Sequence, residues 1–362
     1  MKKGSQDMQS STDAPQASFL SRVRSALDRY VTPQLHRYVT PRTVRPLAAV
    51  TAVTMFIVYA LGTLVTTTGS GHGCGDSWPL CRGQFIPEFA ISTAIEFTHR
   101  VATASVTVLV LALAFGVLWL WRSRLELRIL APLMVVALFA EAGLGAALVL
   151  EPHVSPVLLA IHFGTSLVLF SSVLLTALIV HELGGWDRLR DQAIVPGFRI
   201  LVFALALYTY VVGYLGAYMR LRGAEIACTG WPTCNGQLFP GFSGFVGIAF
   251  THRVAAFVLL VGTVWLFVWA RSLRASRPDL YRGSFWALLA VIAQVFAGGI
   301  VALTRVAQYS QLLHAGLVAL LFGALVYVCL QTMPRPMAAR TAPEVEATPS
   351  QSATPSAAAQ RG

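Results

Sequence analysis

Four of the chain's eight histidines, His99, His162, His252 and His314, fall into two matching sets, and imidazole readily ligates a metal near neutral pH. FTHRVA around His99 returns unchanged around His252. IHFGTSLVLF around His162 is matched by LHAGLVALLF around His314, each with Gly two residues on and Phe eight on. Two imidazoles at one depth on facing helices can ligate a planar iron porphyrin from opposite sides. Zinc is the competitor, but a closed zinc site needs four tetrahedral ligands, usually with cysteine or carboxylate among them, and each set supplies two histidines. A lone histidine in a membrane helix more often just hydrogen-bonds a neighbouring helix. Repetition as matched pairs favours haem. His36, His72, His153 and His181 have no counterpart and are expected in loops or on the surface.

Glu96 precedes His99 by three residues, which on a helix puts both side chains on one face. The equivalent position in the other set is Ala249. An ionised carboxylate at this depth costs on the order of a few kcal/mol, so it marks a proton path or a reactive site unless it reaches water. A haem beside Glu96 has a group able to move protons or steady positive charge, whereas the other suits electron transfer. Glu141, matched by Gln294, is a second intramembrane carboxylate for which a helix-bridging hydrogen bond and a proton relay are both open. Arg100 and Arg253 follow the histidines and could pair with haem propionates or anchor helix ends.

Cys74 and Cys81 share one loop and Cys228 and Cys234 its counterpart. Short-range pairing, Cys74–Cys81 and Cys228–Cys234, would pin each loop over the haem mouth on an oxidising side, with a redox-active first pair as the other possibility. A CxxCH attachment motif is absent, so haem is expected to be held non-covalently. Cys329 stands alone and is expected to be a small core hydrophobe.

These side chains need helices that cross a membrane. The chain is 56% hydrophobic and 12% charged over 362 residues, with mean hydropathy +0.65, outside the range of soluble domains. Apolar runs long enough to cross about 30 Å of hydrocarbon are expected near 47–67, 95–121, 129–150, 157–181, 196–217, 247–270, 284–304 and 311–332. CGDSWPLCRGQFIP from Cys74 returns as CTGWPTCNGQLFP from Cys228, so the second half repeats the first at an offset of about 153 residues. Four spans per copy give both copies one orientation, related by an axis along the membrane normal. The expected fold is an all-α polytopic membrane protein with eight transmembrane helices in two pseudo-symmetric four-helix bundles, 47–181 and 196–332.

The net charge of +11 follows topology rather than nucleic-acid binding. Basic clusters lie before the first span (Lys2 to Arg45) and after spans two (Arg122, Arg124, Arg128), four (Arg188, Arg190) and six (Arg271 to Arg282). Both termini are therefore expected to be cytoplasmic and the cysteine loops to face outward. The first apolar run begins too late and is too long for a cleavable leader. Residues 1–46 read as a cytoplasmic arm, in which 18–40 suit an interfacial helix or a solvated basic segment. Residues 333–362 read as a disordered cytoplasmic tail.

TGSGHGCGDSWPLC, the ExxHR of Glu96, His99 and Arg100, and the repeated THR and span-four histidines together resemble the haem A synthase family, in its Gram-positive form with two cysteine pairs. The resemblance covers about 47–332. It implies oxidation of the C8 methyl of haem O to a formyl group through successive hydroxylations, giving haem A for a terminal oxidase. It also implies haem b on His252 and His314, substrate haem O near His99 and His162, and a catalytic Glu96. The expected setting is the plasma membrane, with haem O synthase, a terminal oxidase and an electron donor as partners beside the lipid. The sequence departs from the family pattern at Glu141, where the family usually has Gln. A non-catalytic di-haem b cytochrome is the second reading; Glu96 opposite Ala249 favours the enzyme, since a pure electron carrier has no use for that asymmetry.

Overall fold

In lipid a backbone satisfies its polar groups only by closing its own hydrogen bonds, so long apolar segments become helices. A computed structural model describes residues 32–151, 155–183 and 185–334, and eight helices in it are long and apolar enough to span a membrane. They are α1 (Pro41–Thr67), α2 (Ile91–Trp121), α3 (Leu125–Leu150), α4 (Pro156–Glu182), α5 (Pro196–Leu221), α6 (Gly244–Ser272), α7 (Pro278–Leu303) and α8 (Gln308–Thr332). This is a multi-pass membrane protein. The expected arm up to residue 31, its 18–31 interfacial stretch, His153 and the tail from 335 lie outside the described residues.

Each helix begins at or before the residue expected from the apolar runs, by up to six residues. The apolar run marks the stretch that suits hydrocarbon, while the helix continues through charged first turns: Arg42 and Arg45 in α1, Glu126 and Arg128 in α3, Asp279 and Arg282 in α7. Residues 41–46 thus belong to the first helix rather than to the arm. Proline at the first position of α1, α5 and α7 suits these starts, because its missing N–H has no intrahelical acceptor there.

In the first half α1 packs on α2 and α4, and α3 packs on the same two; α5 to α8 repeat this closed ring. The halves meet through α8 against α1 and α4, and through α4 against α5. Aromatic rings enter glycine gaps across this boundary. Phe56 of α1 lies 3.3 Å from a Cβ built on Gly316 of α8, and Tyr210 and Tyr214 of α5 fill the space beside Gly164 of α4. Gly164 and Gly316 are repeat equivalents, as are Phe56 and Tyr210, so the contact obeys the pseudo-twofold axis. At the other end of the helices Glu182 of α4 accepts from Tyr327 Oη at 2.6 Å and Gln331 Nε2 at 2.8 Å, both on α8.

Gly164→Leu should therefore destabilise the detergent-solubilised protein by about 1–3 kcal/mol, the range for overpacking. Gly143→Ala, with open space where its Cβ would go, should not. Equal unfolding midpoints for the two variants would show that the boundary is not packed this way.

Candidate functional site

His99 and His252 lie eight residues in from the starts of α2 and α6, and His162 and His314 six residues in from the starts of α4 and α8. At 1.5 Å per residue all four sit about 9–12 Å along the helix from its start. His99 and His162 stand on α2 and α4 of the first half, and His252 and His314 on α6 and α8 of the second. Each half thus carries one of the two pairs that the repeat suggested.

Each imidazole is backed by a glycine on an odd-numbered helix. A Cβ built on Gly62 of α1 would lie 3.2 Å from His99 Nε2, and one on Gly145 of α3 would lie 3.8 Å from His162 Cε1. In the second half the matching distances are 3.0 Å from Gly216 of α5 to His252 Cε1 and 3.2 Å from Gly298 of α7 to His314 Cε1. A side chain at Gly62, Gly216 or Gly298 would crowd the ring, whereas the contact at Gly145 is an ordinary one. Gly62 and Gly216 escaped the sequence reading, although the repeat offset relating them was there to find them.

Polar neighbours differ between the pairs. Glu141 of α3 bridges to α4, its Oε2 lying 3.0 Å from His162 Nδ1. Its equivalent Gln294 of α7 has Nε2 3.3 Å from His314 Nε2. The alignment at His162 is oblique, and Nδ1 of His162, His252 and His314 are buried without an in-line hydrogen-bond partner. Rings with buried nitrogens lacking a partner and backed by glycine fit a group that brings its own electrophile. Among the described residues no three or more His, Cys, Asp or Glu side chains gather as a metal site. An iron porphyrin asks for only two, because its four equatorial ligands are its own.

The loops above the two pairs share one construction. Disulfides join Cys74 to Cys81 and Cys228 to Cys234, with Cα separations of 4.6 and 4.7 Å. Arg82 and Asn235 take the left-handed conformation at equivalent points, with φ of 52° and 54°. Asn235 suits it, its side chain accepting from Thr229 N–H at 2.9 Å and donating to Ala227 O at 3.0 Å.

The arginines after the histidines hold these loops down. Arg100 donates through Nη1 to Ser77 O at 2.7 Å and Leu80 O at 2.9 Å. Arg253 donates to Thr233 O at 2.9 Å and Cys228 O at 3.0 Å. Propionate pairing and helix-end anchoring are the expected roles; the contacts described are to loop carbonyls.

Glu96, only 4% exposed, lies between helix and loop. Its Oε1 accepts from Arg100 Nη2 at 2.5 Å and Nε at 3.1 Å, and its Oε2 accepts from Cys74 N–H at 2.8 Å. The carboxylate is therefore buried, paired and tied to the first disulfide, and it does not reach free water. Ala249, 2% exposed, replaces it in the second half, where Arg253 anchors the loop alone. Of the remaining histidines, exposed His36 lies against Trp119 with the rings tilted, His72 lies 3.4 Å from Asp76, and exposed His181 bonds Ala177 O at 2.7 Å. Cys329 is buried in the core.

The profile of the COX15-CtaA family, described as cytochrome oxidase assembly protein, matches residues 86–326. The chain is 40% identical over 297 residues to a haem A synthase of Symbiobacterium thermophilum, covering 81% of this chain and 96% of that one. It is 36% identical over 288 residues to one of Alkalihalophilus pseudofirmus, covering 78% and 95%. It is 37% identical over 291 residues to one of Shouchella clausii, covering 79% and 96%.

Proposed function

Because the chain belongs to the COX15-CtaA family of cytochrome oxidase assembly proteins, we propose that it is an enzyme converting haem O to haem A, with its two histidine pairs dividing the labour. The observation that carries this reading is the inequality of two otherwise repeated sites: Glu96 stands one turn from His99, and Ala249 stands one turn from His252. In the first half His99 and His162 hold the substrate haem O. The C8 methyl is oxidised there to a formyl group through successive hydroxylations. Glu96, kept dry between α2 and the disulfide loop, steadies charge or moves a proton beside that substrate.

In the second half His252 and His314 would hold haem b, which supplies electron transfer when bound. Gly216 and Gly298 keep those two rings in place, and Gln294 orients His314 from α7. Glu141 does the same for His162 from α3, and its unpartnered Oε1 leaves it free to relay a proton. Arg100 and Arg253 fix the loops that cover each pocket. The distribution of arginines supports a plasma-membrane protein with cytoplasmic termini and outward disulfide loops. Haem O synthase and a terminal oxidase are its proposed neighbours in haem supply and delivery.

Pigment extraction tests the reading. Cells that make haem O and express this chain should yield hydroxylated and formyl haem, and the purified protein should show a b-type spectrum. A persistent b-type spectrum with haem O alone in the extract would instead identify a di-haem electron carrier.

A further inference from the structure

The outer ends of the two halves differ where each loop tryptophan meets the odd-numbered helix beside it. In the second half Trp231 leaves the loop anchored on α6 and reaches across to α7, where its ring packs 5.9 Å from that of Phe296. It also covers Gly299, which is buried, and a Cβ built there would lie 2.8 Å from Trp231 Cδ2. Only glycine admits the indole. The repeat equivalents in the first half are Gly143 for Phe296, Ala146 for Gly299 and Trp78 for Trp231. Both supports are missing there. Ala146 carries the methyl that the second half excludes, Gly143 has nothing within 4 Å of its Cβ position, and Trp78 is 49% exposed.

These seams lie beside the histidine pairs. Gly298, next to Gly299, backs His314, and Gly145, next to Ala146, backs His162. His99 and His252 stand on the helices that form the other wall of each seam. We infer that the seam between α2 and α3 is the lateral entrance through which haem O reaches His99 and His162, while Trp231 on Gly299 and Phe296 closes its counterpart. This rests on the reading of the first half as the substrate site. A substrate that must enter and a product that must leave need an open wall; a resident cofactor needs a shut one. One methyl and one aromatic ring set the difference, because an indole cannot lie on α3 where Ala146 projects and no phenyl ring flanks it.

Two complementary variants of the haem-loaded, detergent-solubilised chain test this. Ala146→Gly with Gly143→Phe gives α3 the surface of α7, and stopped-flow absorbance should show haem O uptake slowed by about tenfold, as expected if closure adds a barrier of about 1.4 kcal/mol. Gly299→Ala gives α7 the methyl of α3, and transfer of haem b to apomyoglobin should speed up by about the same factor. Ala146→Gly alone is a mild change that keeps the test open if the double variant does not fold, and should slow uptake less. Wild-type rates in both folded variants would overturn the entrance while leaving the two-site reading intact. A wild-type chain that neither holds haem b nor takes up haem O would overturn both.

Discussion

His252→Ala, and equally His314→Ala, is expected to remove the b-type spectrum of the purified protein, whereas His99→Ala and His162→Ala are expected to leave it. On the proposed reading these two imidazoles would hold the resident haem b. Among the described residues no third histidine, cysteine or carboxylate gathers with His252 and His314 as a metal site. Loss should therefore be nearly complete rather than graded. Absorbance at the b-type band relative to protein measures it. A band unchanged in His252→Ala and lost in His99→Ala would move the cofactor to the other half and reverse the assignment of the two sites.

Glu96→Gln is expected to abolish haem A formation while leaving haem b bound and the fold intact. The structure makes the choice of substitution matter. Glu96→Ala would strip Arg100 of its carboxylate and Cys74 N–H of its acceptor, and breaking a buried ion pair of this kind costs about 3–5 kcal/mol. An inactive alanine variant could then be merely a loosened one. Glutamine removes the negative charge and keeps one carbonyl oxygen to accept from Cys74 N–H or Arg100, while its amide NH2 faces the other donor, a smaller disturbance than alanine. The second half shows that the loop does not need that charge, since Arg253 anchors its loop over Ala249 without a carboxylate. Extracted pigment and thermal unfolding of the same preparation separate the two roles. Full haem A yield from a stable Glu96→Gln protein would confine Glu96 to holding the disulfide loop.

Much of this site was legible before any coordinates. The histidine pairs, the disulfide pairing, the inequality of Glu96 and Ala249, and eight spanning helices all follow from composition and an internal repeat. Lipid leaves a long apolar segment little choice but helix, and duplication turns a single ambiguous histidine into a pattern. Helix starts were less legible, because charged first turns such as that holding Arg42 and Arg45 look like loop to any reading based on apolar length. The roles of Arg100 and Arg253 stayed open for a related reason. Spacing places a guanidinium near a helix end but does not say which carbonyls the loop will turn toward it.

The sequence by itself determined which residue types recur, how many spans carry them, and where the copies disagree, since hydropathy and periodicity are properties of the chain read in order. Only the tertiary structure decided what faces what. It showed glycines clearing space behind each imidazole, Glu96 turned toward Cys74 and Arg100, Glu141 beside His162, and Trp231 seated on Gly299 while Trp78 is left half-exposed. Those facts depend on the rotation of each helix about its axis and on contacts between segments tens of residues apart, where a single methyl group can admit or exclude a ring.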